Sequence, residues 1–166
     1  MRDLREHIVD VPDFPKPGIL FRDISPLLRS QLAATTDALS ALATDTEWQS
    51  VDALVGVESR GFVLASALAL RRDKGLIMLR KQGKLPPPTI SERYQLEYGT
   101  DALEIRPGAG RVLLIDDVLA TGGTLRAAAD LCARAGYEVA GLLVLIDLRI
   151  APFEWRSMPA RSVIEY

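Results

Sequence analysis

The chain has 166 residues, 48% of them hydrophobic and 25% charged, with a formal net charge of -2 at pH 7. This length and composition predict one globular domain, and the slightly acidic balance argues against a nucleic-acid-binding protein, because such proteins usually carry excess positive charge. A single cysteine, no apolar run near the roughly 18 residues of a membrane helix, and a charged N-terminus unlike a signal peptide predict a cytoplasmic protein without a membrane partner.

The first part of the chain begins with an irregular segment. Residues 2–8 predict a short helix, but residues 11–18, VPDFPKPG, hold three prolines and a glycine and therefore predict a loop. After them, Ser25 and Pro26 fit the N-cap and the first position of a helix that continues to about Asp45.

The middle of the chain alternates apolar strands with helices. Residues 51–57 and 76–79 predict two buried strands, joined by a helix that Gly75 would end. Residues 90–106 then predict a hairpin with its turn at 99–101.

Residues 112–115, VLLI, are typical of a strand buried on both faces and open the most informative stretch of the sequence. Asp116 and Asp117 stand where this strand is expected to end, and a helix follows the small-residue turn at 121–124. Residues 139–148 predict a further buried strand. The alternation predicts an α/β protein with an open, mainly parallel central sheet flanked by helices.

In an open α/β sheet the ligand lies outside the carboxyl ends of the strands, so the loops there should share one crevice. Asp116 and Asp117 offer acceptors for sugar hydroxyls or for metal-bound water, and the turn at 121–124, before a helix N-terminus, offers donors for a phosphate. Cations that follow the earlier strands offer charge for a second anionic group: Arg60, Arg80, Lys81 and Lys84. Each motif alone is also typical of a solvated turn, but together they favour a site for a sugar that carries phosphate at two places.

Residues 112–124, VLLIDDVLATGGT, resemble the phosphoribosyl-diphosphate motif of the type I phosphoribosyltransferases. Four further segments match the pattern of the adenine phosphoribosyltransferases: FPKPGILFRDISP, GVESRGF, RKQGKLPPPT and YQLEYG. The resemblance implies that one domain, residues 1–166, has the type I phosphoribosyltransferase fold, with a small base-binding hood at about residues 1–24 and a flexible catalytic hairpin loop at about residues 83–106. It also implies that adenine and 5-phosphoribosyl diphosphate react to give AMP and diphosphate with Mg²⁺, and that the protein is a homodimer.

The same resemblance assigns binding roles by position. Residues implied to bind the 5-phosphate and the ribose are Asp116, Asp117, Ala120, Thr121, Gly122, Gly123 and Thr124. Residues implied to bind the diphosphate are Ser59, Arg60, Arg80, Lys81 and Lys84. Residues implied to bind adenine, through main-chain groups, are Leu20, Phe21 and Arg22.

The catalytic residues that the resemblance implies are Glu97, Arg60 and Tyr98. Glu97 would serve as the acid at the adenine N7, on a hairpin that closes over the reactants. The peptide between Ser59 and Arg60 is expected to be cis. Magnesium would be carried mainly by the diphosphate and ribose of the substrate, without a dedicated protein ligand.

Two alternatives remain open at this point. The chain could act on hypoxanthine, guanine, xanthine or orotate instead of adenine, although the segment FPKPGILFRD and Glu97 favour adenine. It could instead be a regulator of the same fold that senses phosphoribosyl diphosphate and binds nucleic acid, which the acidic balance disfavours. The segment after Leu148 fits no motif.

Overall fold

Two β-sheets organise the chain. In the computed structural model, residues 3–96 and 99–166 are described, so Glu97 and Tyr98 lie outside the described residues. The elements of the described residues are, in chain order, a 3₁₀ helix Leu4–His7, β1 Val9–Pro12, β2 Leu20–Asp23, α1 Ser25–Ser40, α2 Asp45–Ser50, β3 Ala53–Val57, α3 Arg60–Arg72, β4 Gly75–Lys81, β5 Ile90–Leu96, β6 Gly99–Ile105, β7 Gly110–Leu119, α4 Gly123–Arg134, β8 Tyr137–Asp147, β9 Glu154–Trp155 and β10 Met158–Glu165.

The larger sheet has the strand order β5-β6-β4-β3-β7-β8-β10-β9. Its central strands β4, β3, β7, β8 and β10 are parallel, while the β5–β6 hairpin and the short β9 add antiparallel edges. The predicted α/β fold with a mainly parallel sheet is therefore confirmed. Because the central strands run in one direction, their carboxyl ends meet at the same edge of the sheet.

The apolar run of β7 explains why the sheet has helices on both faces. Leu113 and Ile115 point into one apolar cluster, which includes Leu64 and Leu68 of α3. The alternate residue, Leu114, points into a second cluster, which contains side chains of α4. Successive strand residues face opposite sides, so a continuous apolar run needs cover on both.

The small sheet consists of β1 and β2 alone, paired antiparallel from Val9 opposite Asp23 to Pro12 opposite Leu20. It lies within residues 1–24, the segment predicted to be the hood, and a base-binding role for the hood stays a prediction. Elsewhere Cys132 of α4 has none of its surface exposed, and burial raises the pKa of its thiol to about 12. No helix within residues 3–96 and 99–166 has the length and apolar character that crossing a membrane requires.

Both predicted boundaries of α1 are wrong, for local reasons. Ser25 is not the N-cap of α1, because Ile24 holds that position and the Asp23 carboxylate accepts hydrogen bonds from the Ser25 N–H at 2.9 Å and from its hydroxyl at 2.6 Å. Helix α1 ends at Ser40 rather than near Asp45. Thr44 then starts α2 with a reciprocal hydrogen-bonded cap.

Helix α3 ends at Arg72, before Gly75. Its C-cap is Asp73, whose φ of 52° places it in the left-handed region. Gly75 instead begins β4. The turn predicted at 99–101 is also wrong, because these residues pair with residues 94–96 as part of β6.

The strand predicted to end at Ile115 continues to Leu119, paired with β8. Asp116 and Asp117 are therefore strand residues, and not residues of the following loop. Their position within a paired strand accounts for their burial.

Gly56 shows how closely α3 lies on β3. A Cβ atom there would be 2.9 Å from the Cβ of Ala65 and 3.2 Å from the Gly61 carbonyl oxygen. We expect Gly56→Ala to lower the free energy of unfolding by about 1–3 kcal/mol, the usual effect of an added methyl group in a packed core. Urea denaturation measures this change.

Gly75→Ala is the matched control, because its Cβ would meet only the Ala53 Cβ closely, at 3.3 Å, at the start of a strand. Its expected cost is less than half that of Gly56→Ala. Equal losses in the two variants would contradict the packing argument.

Candidate active site

Asp116 and Asp117 form the most buried polar part of the crevice at the carboxyl edge of the sheet. They are 6% and 8% exposed. The Asp117 N–H donates to Asp116 Oδ1 at 2.9 Å. Asp117 Oδ2 lies 2.8 Å from Arg60 Nε as an ion pair, yet no hydrogen bond from a described residue reaches this oxygen with good geometry. It is therefore a buried acceptor that a ligand hydroxyl can use.

The electrostatics of this pair depend on burial. Burial raises the pKa of Asp116 well above its usual value, and the neighbouring charge of Asp117 raises it further, while Arg60 opposes both effects. Gly61 permits this arrangement, because a Cβ there would be 3.0 Å from the Ile115 carbonyl oxygen and 3.2 Å from Asp116 Oδ1. The start of α3 thus lies directly against the two carboxylates, where it brings Arg60 to them.

The predicted phosphate turn lies between β7 and α4. Gly122 is the N-cap of α4 with a φ of 88°, and a Cβ there would overlap the Phe153 ring at 2.3 Å from Cδ2. Glycine is required for both reasons. Ala120 and Thr121 precede it, and Gly123 and Thr124 begin the helix, whose first N–H groups have no partner within the helix. These groups and the helix dipole suit an anion.

The hairpin β5–β6 contacts this turn through Tyr94. Tyr94 stands opposite Asp101 in the hairpin, and its hydroxyl is hydrogen-bonded to the side chains of Thr124 and Asp101. Asp101 Oδ2 also lies 2.8 Å from Lys81 Nζ. The Lys81 ammonium lowers the pKa of Asp101, while Asp101 raises the pKa of Lys81. A residue predicted to bind diphosphate is thus paired with the hairpin.

Arg80 lies in a different place from Lys81 and Lys84. Arg80 Nε lies 3.2 Å from Glu58 Oε2, beside Ser59 and Arg60 at the end of β3. Lys81 and Lys84 line a cavity of about 490 Å³ against the hairpin, which is separate from the cavity that Arg60 lines.

A second cavity, of about 420 Å³, lies between the small sheet and the ends of β7 and β8. It is lined by residues of the hood and of the C-terminal segment: Gly18, Ile19, Leu20, Phe21, Arg22, Arg60, Val118, Ala120, Leu148, Ile150 and Tyr166. The Arg60 guanidinium lies 4.8 Å from the centre of the Phe21 ring. This apolar slot, with an arginine at one side, fits a flat heteroaromatic ring.

Leu20, Phe21 and Arg22 all line this slot, and their role in binding adenine stays a prediction. Strand β2 pairs only with β1, so half of its main-chain N–H and C=O groups point away from the pair and suit a base edge. The Arg22 side chain is occupied, since it pairs with Asp10 and lies 4.0 Å from the centre of the Tyr166 ring.

Sequence reasoning missed Ile150 and Tyr166. Their segment matches no motif, and only the pairing of β10 with β8, together with a 3.0 Å hydrogen bond from the Tyr166 N–H to the Asp147 carbonyl oxygen, brings Tyr166 to the crevice. Residues 158–165, MPARSVIE, show no regular apolar alternation, so the sequence held no clear signal for this strand.

The catalytic roles of Glu97 and Tyr98 fall on residues outside those described. The cis peptide expected between Ser59 and Arg60 lies one bond earlier, between Glu58 and Ser59. Within the described ranges 3–96 and 99–166, no three His, Cys, Asp or Glu side chains lie close enough together to hold a metal ion.

Comparison with known proteins gives consistent matches. The family described as phosphoribosyl transferase domain matches residues 28–164. The adenine phosphoribosyltransferase of Hydrogenovibrio crunogenus is 54% identical over 98% of this chain and 96% of its own length. The crystal structure of the adenine phosphoribosyltransferase from Rhodothermus marinus is 42% identical, with a TM-score of 0.84 over 98% of this chain and 96% of that one. The APRTase of Giardia lamblia complexed with 9-deazaadenine is 33% identical, with a TM-score of 0.87 over 99% and 96%.

The raised pKa of Asp116 predicts a stability change for Asp116→Asn. The amide oxygen can still accept from the Asp117 N–H, but the buried like charge is removed, so the variant should melt a few degrees higher at pH 8, at about 2–4 °C per kcal/mol. The folded protein binds more protons than the unfolded chain between the unfolded pKa and the raised folded pKa. Wild-type stability therefore rises as the pH falls through that window. The difference in melting temperature between Asp116→Asn and wild type should become smaller from pH 8 to pH 5.

Asp37→Asn is the control, because its carboxylate forms an exposed ion pair with Arg71 and such pairs contribute little. It should not raise the melting temperature, and its difference from wild type should not narrow in the same pH range. A wild-type melting temperature above that of Asp116→Asn at pH 8 would contradict the argument. Differential scanning calorimetry measures all three proteins.

Proposed function

The chain belongs to the phosphoribosyltransferase family, and from this premise we propose that it transfers the 5-phosphoribosyl group of phosphoribosyl diphosphate to adenine, giving AMP and diphosphate in purine salvage. One observation supports this most strongly: Arg60 joins the two halves of the crevice. It pairs with Asp117 at 2.8 Å and lies against Phe21 in the slot suited to a base. A sugar bound at the carboxylates and a base bound in the slot are therefore neighbours.

The sugar half follows from the buried acceptors. Asp116 and Asp117 would accept hydrogen bonds from the ribose hydroxyls, and the N–H groups of residues 121–124 would hold the 5-phosphate. During transfer the bond from ribose C1 to the diphosphate oxygen breaks and the bond from C1 to adenine N9 forms, so positive charge develops on the ribose ring. Asp116 and Asp117, bound to the ribose hydroxyls, would stabilise that charge.

The leaving diphosphate needs cations. Arg60 would approach it from the start of α3, and Ser59 from the preceding peptide. Arg80, Lys81 and Lys84 would complete the set, which requires Lys81 to exchange its contact with Asp101 for the ligand. Adenine loses its imidazole proton as N9 bonds to C1; Glu97 would accept that proton at N7, and would return it as the acid in the reverse reaction. Tyr98 would lie beside the ribose when the hairpin covers the reactants and excludes water.

The slot beside β2 would explain a preference for adenine over other bases. The outward main-chain groups of β2 would pair with the adenine amino group and ring nitrogen. Hypoxanthine presents a carbonyl and an N–H at those positions, so donors would face donors and acceptors would face acceptors. A complex of the Giardia lamblia APRTase with a base analogue, 9-deazaadenine, supports the assignment of a base slot in this fold.

Mg²⁺ would accompany the substrate. The buried Asp117 Oδ2, which lacks a well-directed hydrogen bond, fits a ribose hydroxyl or a water of a metal bound mainly by the diphosphate and ribose oxygens. The ion supplies charge neutralisation of the leaving group when it is bound. The single buried thiol of Cys132 also favours the reducing cytoplasm as its location.

A homodimer is supported by one apolar surface. Side chains exposed on α3 and β4 are Val63 at 43%, Leu70 at 87%, Leu76 at 41% and Met78 at 44%. Strand β4 pairs with β6 only at Arg80 and Lys81, so its first half adjoins this patch with an open edge among the described residues. Exposed apolar side chains on two elements that pack together are typical of an interface, and we assign a second copy of this chain to this patch.

The activity is tested by diphosphate release from phosphoribosyl diphosphate with Mg²⁺ and each of adenine, hypoxanthine, guanine and orotate. We expect turnover with adenine, and a rate at least about 100-fold lower with hypoxanthine, because unpaired buried polar groups discriminate strongly. EDTA should abolish the reaction, and added Mg²⁺ should restore it. Turnover with hypoxanthine but not with adenine would contradict the proposal, as would full activity in EDTA.

The dimer is tested by sedimentation velocity. Met78→Glu should convert the dimer into monomer, because a charge buried in the interface has no partner. Leu32→Glu is the matched control, since Leu32 is 37% exposed on α1, away from this patch, and should leave the dimer intact. A monomeric wild-type protein would overturn the assignment, and so would a dimer that Met78→Glu leaves unchanged.

A further inference from the structure

Two carboxylates hold the segment that carries the cations at the end of β4 and in the turn that follows it. We define the cationic turn as residues 80–85. Glu58, at the end of β3, accepts a hydrogen bond from the Lys81 N–H at 2.8 Å and one from Arg80 Nε at 3.2 Å. Glu104, on β6, accepts from the Lys84 N–H at 2.8 Å and from the Leu85 N–H at 2.6 Å. The main chain of the cationic turn is therefore fixed at its beginning and at its end.

Glu104 is a buried charge with main-chain partners. It is 3% exposed and stands opposite Arg80 in the pairing of β4 with β6. Burial alone would raise the pKa of Glu104, but hydrogen bonds from the N–H groups of Gly83, Leu85 and Lys84 outweigh burial and lower it. The carboxylate is thus ionised at neutral pH and fully engaged, as a buried charge must be.

The contacts of Glu104 determine where two cations stand. The Lys84 N–H is held by Glu104, while the Lys84 carbonyl oxygen accepts from Arg80 Nη1 at 3.4 Å. Gly83, with a φ of 86°, allows the chain to turn between them. Arg80 is held in turn by Glu58, which directly precedes the Ser59 and Arg60 of the crevice. Glu58 thus joins the cationic turn to the loop after β3.

We propose that Glu104 is a positioning residue for the diphosphate: it fixes the main chain of the cationic turn so that Lys84 and Arg80 meet the leaving group without reorganising. The inference rests on the proposed transfer from phosphoribosyl diphosphate. Charges that are held in place before the reaction stabilise a leaving group better than mobile ones, because they need no rearrangement at the moment of bond cleavage. A carboxylate that acts through main-chain N–H groups contributes without touching the substrate.

Glu104→Gln tests the proposal in the full-length chain. Glutamine keeps the size and one acceptor, but it loses the charge and turns an NH₂ group toward main-chain donors. We expect the KM for phosphoribosyl diphosphate and the Kd for Mg²⁺-diphosphate, measured by calorimetry, to rise about tenfold, or about 1.4 kcal/mol. The KM for adenine should stay within about twofold, because the β2 slot is unaffected. Equal rises for both substrates would overturn the proposal.

Glu47→Gln is the matched control for a purely structural carboxylate. Glu47 accepts from the Thr44 N–H at 2.7 Å and pairs with Arg161 at 3.0 Å, and neither partner lines the crevice. This variant should lose thermal stability while its Kd for Mg²⁺-diphosphate stays that of wild type. If it weakens diphosphate as much as Glu104→Gln does, the effect is one of general stability and the proposal is wrong.

A double-mutant cycle with Lys84→Ala tests whether Glu104 acts through Lys84. Lys84→Ala should weaken Mg²⁺-diphosphate in the wild-type background and much less in the Glu104→Gln background, because the lysine is no longer held in place. Additive losses would overturn the proposal. A wild-type chain that does not convert adenine would refute the proposed function, whereas an active wild type whose diphosphate affinity survives Glu104→Gln would refute only this inference.

Discussion

The crevice depends on two adjacent carboxylates that are buried in a paired strand. Asp116 and Asp117 cannot move away from each other without breaking the pairing of β7 with β8. Burial and mutual repulsion both oppose their charge, so the surrounding structure must supply compensation. It does so with Arg60 at 2.8 Å from Asp117 and with Gly61, which lets the start of α3 lie against the strand. A residue larger than glycine at position 61 would push that helix, and its arginine, away from the acids.

Arg60 connects the two carboxylates to the hood. Its guanidinium contacts a carboxylate on one side and the Phe21 ring on the other, so the position of the hood is tied to the position of the acids. The hood is a two-stranded sheet, which has little stability by itself. Contacts such as these, together with Arg22 against Tyr166, hold it over the ends of β7 and β8.

The sequence was most informative where function depends on local pattern. The apolar run at 112–115 and the glycines after it predict the strand, the turn and the helix, because strand burial and left-handed turns restrict residue type. Glu104 and Asp101 were not predicted as site residues. Their partners are main-chain N–H groups and a lysine distant in sequence, and such contacts leave no periodic signal. Tyr166 was missed because only the pairing of β10 with β8 brings it to the base slot.

The network of Lys81, Asp101, Tyr94 and Thr124 links the two ends of the substrate site through the hairpin. Thr124 belongs to the predicted phosphate turn and Lys81 to the cationic turn. Asp101 and Tyr94 are paired with each other on β6 and β5. A phosphate that takes the Thr124 hydroxyl, or a diphosphate that takes the Lys81 ammonium, removes a contact that holds the hairpin. By linkage, any ligand that competes for these groups changes the free energy of the hairpin, and the position of the hairpin changes the affinity for that ligand. Tyr94 and Asp101 therefore connect the β5–β6 hairpin to both of the groups proposed to bind the anionic ends of the substrate.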